Sequence, residues 1–179
     1  MSSKKEHIFS PGAVSVVMSV YKKDHPEWFE QAIDSLLNQT VPSDDIVIVA
    51  DGPLTTQLNT ILRQYKAEKS ISLVRLPVNQ GLGSALNTGL KRAKNELIAR
   101  MDADDIAVSN RFELQIAEFK KHPELDILGG QIAEFINSPE EITAYRKVPL
   151  TQSEIRQFAR RRSPFNHPTV MYKKSTIEK

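Results

Sequence analysis

Four short, mainly apolar runs recur along this sequence, each separated from the next by an amphipathic stretch. Val14–Val20 (VSVVMSV), Ile46–Ala50 (IVIVA), Ile71–Leu76 and Leu97–Met101 are the runs. The first two, bounded by turn residues, suit buried strands, and the other two suit further strands. The intervening stretches repeat apolar residues at helical spacing. Trp28, Phe29, Ala32, Ile33, Leu36 and Leu37 form one such stripe, with Asp24 set as an N-cap and Pro26 in the first turn. Leu58, Ile61, Leu62 and Tyr65 form a second, and Leu86, Leu90 and Ala93 a third within a helix from about Ser84 to Lys94. A fourth helix, Asn110 to Lys121, buries Phe112, Ile116 and Phe119 and stops before Pro123. Ile127–Ile136 and Ile142–Val148 follow as strands, and Ser153–Arg161 as a helix. A βαβαβαβ order predicts an α/β fold with a mostly parallel sheet and helices on both faces.

At 179 residues, the chain can bury about 70% of its extended surface in one domain. It has no Cys, so disulfides, thiolate metal sites and Cys nucleophiles are excluded. A reducing compartment is in keeping with that. No apolar run approaches the ~18 residues of a membrane span, and Met1–His7 is polar, unlike a secretion signal. A soluble, cytoplasmic protein is expected. The formal charge of +2 is unevenly spread. Tyr145–Lys179 holds nine Lys or Arg against two Glu, a net of +7, and the rest of the chain is net −5. This basic edge is either simply solvated or faces phosphates or an anionic membrane leaflet, which would give a peripheral site at the inner face of the cell membrane. Arg160, Arg161 and Arg162 lack interleaved aromatics, so nucleic acid is not an expected partner.

Ligands of open parallel sheets bind beyond the carboxyl ends of the strands, and three such ends here carry polar chemistry. The first run ends in Ser19-Val20-Tyr21, the second in Asp51-Gly52, and the fourth in Asp102-Ala103-Asp104-Asp105. Three carboxylates within four residues repel one another, and a cation or hydrogen-bond donors must compensate. All-oxygen ligands select a hard divalent ion, manganese or magnesium rather than zinc. Asp104 or Asp105 is also placed to cap a turn before the next helix. Asp51 is either a turn residue or an acceptor for a base or ribose. Gly81-Leu82-Gly83 follows the third strand and is neither a dinucleotide fingerprint nor a P-loop. Arg100 faces away from Ala99 and is set to pair with a carboxylate, whose identity the sequence leaves open. His7, His25 and His122 read as surface residues, His167 as a turn residue or an acceptor-side contact rather than a metal ligand, and Trp28 and Phe29 as core.

The segments VSVVMSVYK, AIDSLLNQT, IVIVADGP, NQGLGSALNTGLKRAKNELIARMDADD, NRFELQIAEFKKHPELDILGG and NHPTVMYKK occur in that order over nearly the whole chain. Together they resemble a family 2 glycosyltransferase of the GT-A fold, of the kind found among capsule and lipopolysaccharide sugar transferases. The resemblance implies a nucleotide-sugar-binding domain over residues 1–179 and inverting transfer from a nucleotide-sugar, most simply a UDP-sugar, to a saccharide or lipid-linked acceptor. It implies that Ser19 and Tyr21 line the nucleotide pocket, with the Tyr ring against the uracil, and that Asp51 contacts the base. Asn79, Gly81, Asn87 and Gly89 would flank the nucleotide. Asp102 would lie near the ribose, Asp104 on the metal that bridges the diphosphate, and Asp105 would be a further metal ligand, with Asp102 itself within reach of the ion.

The sequence departs from that family in two places. Ala50 precedes Asp51 where a second acid is common, so base recognition falls on Asp51 alone. The family's base lies in a Glu-Asp motif past the last strand, whereas after His167 the sole acid is Glu178. The catalytic base is therefore expected beyond Lys179, in a chain cut short before it. Two other classes fit the strand order: a sugar nucleotidylyltransferase, which would need a Gly-rich basic loop where Tyr21-Lys22-Lys23-Asp24 stands, and a binding module without activity.

Overall fold

The computed structural model describes residues 12–136 and 138–177. His7 and Glu178 lie outside the described residues. The first half alternates as expected: β1 (Gly12–Val20), α1 (Pro26–Leu37), β2 (Ser43–Ala50), α2 (Thr56–Gln64), β3 (Ile71–Arg75), α3 (Leu82–Arg92), β4 (Leu97–Met101) and α4 (Arg111–Lys121). After these come β5 (Ile127–Leu128), β6 (Ile132–Phe135), β7 (Ile142–Arg146), α5 (Gln152–Phe158), β8 (Met171–Lys173) and α6 (Lys174–Ile177). Among the described residues no helix is long and apolar enough to cross a membrane.

The main sheet has the order β3-β2-β1-β4-β8-β5. β3, β2, β1 and β4 are mutually parallel, and β8 runs antiparallel between β4 and β5. Period-2 alternation divides the β-branched runs between two layers. Val14, Val16, Met18 and Val20 of β1, with Ile46 and Ile48 of β2, pack against Phe29, Ile33 and Leu36 of α1 and Phe112 and Phe119 of α4. Val17 and Ile98 face the other way, against Leu90 of α3 and Ala93 just past its end, and Val47 and Val49 lie against Ala85. Gly89 lets α3 lie this close, because a Cβ there would sit 2.5 Å from Val17 Cγ1 and 3.2 Å from Val49 Cγ2. Its place is thus beneath the helix, against the sheet.

Three sequence expectations change, and one strand is new. Asp24 does not cap α1; the N-cap is His25, without a side-chain cap, and the Asp24 carboxylate accepts the Tyr21 N–H at 2.8 Å. Trp28 is 52% exposed and stacks on His25 with ring centroids 4.7 Å apart, so only Phe29 of the pair belongs to the core. Helical periodicity alone cannot tell the centre of an apolar stripe from its edge. The run Ile127–Ile136 is two strands in different sheets, parted at Gly129-Gly130, where a Cβ on Gly129 would meet the Phe165 ring at 2.7 Å. Residues 171–173, with too short an apolar run to signal a strand, form β8.

Candidate donor-binding pocket

Parallel strands deliver their carboxyl ends to one edge of the sheet, and here a pocket of about 360 Å³ lies at that edge. Ser19 and Tyr21 reach it from the end of β1, Asp51 from the end of β2, and Asp102 and Asp104 from the end of β4. Asn79 and Gly81 close it from the loop before α3. Tyr21 is 39% exposed, leaving a ring face available at the rim. Asn87 is exposed on α3 and is not on the pocket wall. Gly89 is not on the wall either.

Asp51 is nearly buried and holds the loop. One carboxylate oxygen accepts the Gln80 N–H at 2.7 Å; the other accepts the Gly81 N–H at 2.9 Å and Asn79 Nδ2 at 3.0 Å. The loop can come so near because Gly52 adopts φ +87°, and a Cβ there would lie 2.6 Å from Asn79 N. Gly81, at φ +84°, then turns the chain into α3. Both glycines occupy backbone conformations that L side chains rarely adopt.

Across the pocket, the carboxylates of Asp102, Asp104 and Asp105 each offer an oxygen within 4.8 Å of the others. Burial, then repulsion from Asp102 and Asp104, pushes the Asp105 carboxyl up to about 6, against the opposing pull of Arg100 and Arg111. Three converging carboxylate oxygens match the hard-ion chemistry of magnesium or manganese, and the residues present fit such an ion.

Three functional groups escaped the sequence reading or were left without a partner. Asp24 lines the pocket, and burial followed by the charges of Asp104 and Asp102 raises its carboxyl above the ordinary value, against the lowering effect of the Tyr21 N–H. The nearby helix start made Asp24 read as a cap and hid this role. Arg100 pairs with Asp102, through Nη1 to Oδ2 at 2.8 Å and through Nη2 to Oδ1. Arg111 is buried at the start of α4 and donates Nη2 to the carbonyls of Arg100 at 2.9 Å and Val170 at 3.4 Å. It thereby ties the end of β4, just before the Asp cluster, to the segment leading into β8. Nothing in a single helical pattern distinguishes that buried Arg from a solvated one.

The NHPTVMYKK segment owes its form to polar ties. Asn166 is buried and donates Nδ2 to the Gly130 carbonyl at 3.1 Å and the Arg146 carbonyl at 3.2 Å. Thr169 accepts the Gly130 N–H at 2.8 Å. His167 stays exposed in a 3₁₀ turn, as the sequence suggested.

Known proteins with this pattern share more than the fold. The profile described as glycosyl transferase family 2 matches residues 15–177. An uncharacterized glycosyltransferase of Haemophilus influenzae is 45% identical over 163 residues, 91% of this chain and 61% of that protein. A UDP-Gal:alpha-D-GlcNAc-diphosphoundecaprenol beta-1,3-galactosyltransferase of Escherichia coli is 37% identical over 163 residues, 91% of this chain and 59% of that protein. The chain thus spans about 60% of the length of these curated relatives. Among solved structures, S. aureus TarS 1-349 in complex with UDP superposes with a TM-score of 0.70 at 21% identity, over 92% of this chain and 48% of that one. The α/β sheet is that of the GT-A fold, and the chain belongs to glycosyl transferase family 2.

Proposed function

We propose that this chain is the donor-binding part of an inverting glycosyltransferase that moves a sugar from a UDP-sugar to a saccharide or lipid-linked acceptor in cell-surface polysaccharide synthesis. The observation that carries the reading is the division of one pocket into two chemistries. An exposed aromatic ring and the loop held by Asp51 stand on one side, and a cluster of carboxylates on the other. A nucleoside diphosphate needs that division: a flat surface and polar edge for the base, and a cation held by acids for the diphosphate. The relative from Escherichia coli, named for a UDP-Gal donor and a diphosphoundecaprenol acceptor, supports both the nucleotide and the lipid-linked class of acceptor.

In this reading Tyr21 stacks on the uracil, while Ser19, Asp51, Asn79 and Gly81 fix the nucleoside, with Asn87 farther along α3. Asp102 faces the ribose, and Asp104 and Asp105 hold manganese or magnesium. When bound, the ion stabilises charge on the departing diphosphate. The acids that line the pocket are already engaged, Asp51 by three N–H donors, Asp102 by Arg100, Asp24 by the Tyr21 N–H and Asp104 by the ion assigned to it. The base that takes the acceptor proton is accordingly assigned to residues outside those described. The exposed arginines at 160–162 are assigned to peripheral contact with an anionic leaflet.

Calorimetry with UDP, GDP, CDP and ADP, each with and without manganese, tests the donor assignment. UDP should bind most tightly, manganese should strengthen it, and Asp104→Asn should remove the manganese effect while leaving the fold intact. Equal affinity for all four nucleotides, or a manganese effect that survives Asp104→Asn, refutes it.

A further inference from the structure

Arg100 and Asp102 are two residues apart at the end of an extended strand, so their side chains leave the same face of the sheet. Ala99 and Met101, between and before them, point into the core with α1 and α4. Arg100 is 6% exposed and its guanidinium grips both oxygens of Asp102, with Nη1 at 2.8 Å from Oδ2. Its Nε is buried and has no hydrogen-bond partner. A buried cation with an unsatisfied donor is a poor device for stability, because its desolvation is only partly compensated. Placed beside three converging carboxylates, it has another use.

We propose that Arg100 is a positioning residue for the donor site: it fixes Asp102 as an internal ion pair, which keeps that carboxylate off the cation and leaves Asp104 and Asp105 to hold it. The fork geometry of a guanidinium holds a carboxylate in one orientation, which a point charge cannot do. The pair also sets the charge of the cluster. Three carboxylates and one guanidinium carry a net −2, matched to a single divalent ion. Without Arg100 the cluster is at −3 and Asp102 is free to turn toward the cation. Removing Arg100 should therefore strengthen cation binding while weakening nucleotide binding.

The inference rests on the metal reading above, and the test separates the two. Manganese alone is titrated into the full chain and followed by the electron paramagnetic resonance of the free ion. Arg100→Met should bind manganese about tenfold more tightly than wild type, the order expected for loss of one neighbouring unit charge after solvent screening. Asp102→Asn should bind it more weakly. The double variant Arg100→Met/Asp102→Asn restores the net −2 and should return to within about threefold of wild type. It also removes both members of the pair, so it guards against a single variant that fails to fold. At saturating manganese, calorimetry should show UDP bound several-fold more weakly by Arg100→Met. Arg100→Lys should recover the wild-type manganese affinity but not that for UDP, because it keeps the charge and loses the fork. Wild type that binds no manganese overturns the metal reading and this inference together. Wild type that binds it, with Arg100→Met no tighter or with the double variant far weaker than wild type, overturns the inference alone.

Discussion

Replacing Asp51 by Asn separates two roles that a strand-end acid in this family can have. If Asp51 only met the base, an isosteric amide would lower nucleotide affinity and leave the protein's stability unchanged. The structure assigns it another task. Its two oxygens accept three N–H groups from residues 79–81, at 2.7, 2.9 and 3.0 Å. Asn can present one oxygen to this set, and its NH₂ must then face a donor on the other side. A hydrogen bond to a charged acceptor contributes about 1.5–3 kcal/mol, and a donor left facing a donor costs about 1–3 kcal/mol. Asn79 and Gln80 are exposed, so water recovers part of that loss. A net destabilisation of about 2–3 kcal/mol remains, which for a domain of this size is a fall in Tm of about 4–12 °C. Thermal unfolding followed by circular dichroism measures it. Hydrogen exchange at the Gln80 and Gly81 amides localises it, since their protection should drop before that of β1 and β2. An unchanged Tm with unchanged protection at both amides would refute the loop-holding role and return Asp51 to base contact alone.

Three further outcomes follow from the packing and charge. Gly89→Ala gains about 1 kcal/mol of helix propensity but drives a methyl into Val17 and Val49, and overpacking of that kind costs about 1–3 kcal/mol; chemical denaturation should show net loss. Asp105→Asn should stabilise the metal-free protein by about 1 kcal/mol at pH 7, once its half-exposed setting is discounted for solvent screening. The sign follows from linkage: a carboxyl raised from 3.8 to about 6 binds a proton more readily folded than unfolded, so its penalty is complete above about pH 6 and gone below about pH 4. Replacing Arg160, Arg161 and Arg162 by Ala should abolish salt-sensitive sedimentation with phosphatidylserine vesicles, at about 1 kcal/mol per Arg near the surface, and leave UDP affinity unchanged.

Why the first half of the fold was legible and the second was not comes down to how each half is held. β1, β2 and β4 are buried on both faces; β-branched runs mark the first two, and the Leu97–Met101 boundaries of β4 agree with the structure to the residue. The helices of that half present stripes that face these strands. From residue 127 onward, pairing depends on side chains that act singly. Gly129 is required by one Phe165 ring, and β8 takes its place between β4 and β5 with Asn166 and Thr169 tying the preceding turn to Gly130. A three-residue strand has no period to detect.

The site divides in the same way. Position at a strand end is a property of the backbone, and it brought Ser19, Tyr21, Asp51 and the Asp cluster to one edge from sequence order alone. Partnership is a property of side-chain packing, and it is what the sequence withheld. Arg100 lay in plain view two residues before Asp102, a spacing that puts both on the same face of a strand, yet Asp104, four residues on, has the same parity and Asp105 follows it. What selects Asp102 is that the strand stays extended through Met101 and turns only afterwards, carrying Asp104 out to an exposed position. The choice of ion-pair partner is thus made by where β4 ends, and the Arg111 guanidinium, bonded to the Arg100 carbonyl, adds to the β1 ladder and the Arg100 N–H bond to Val170 that hold that end in place.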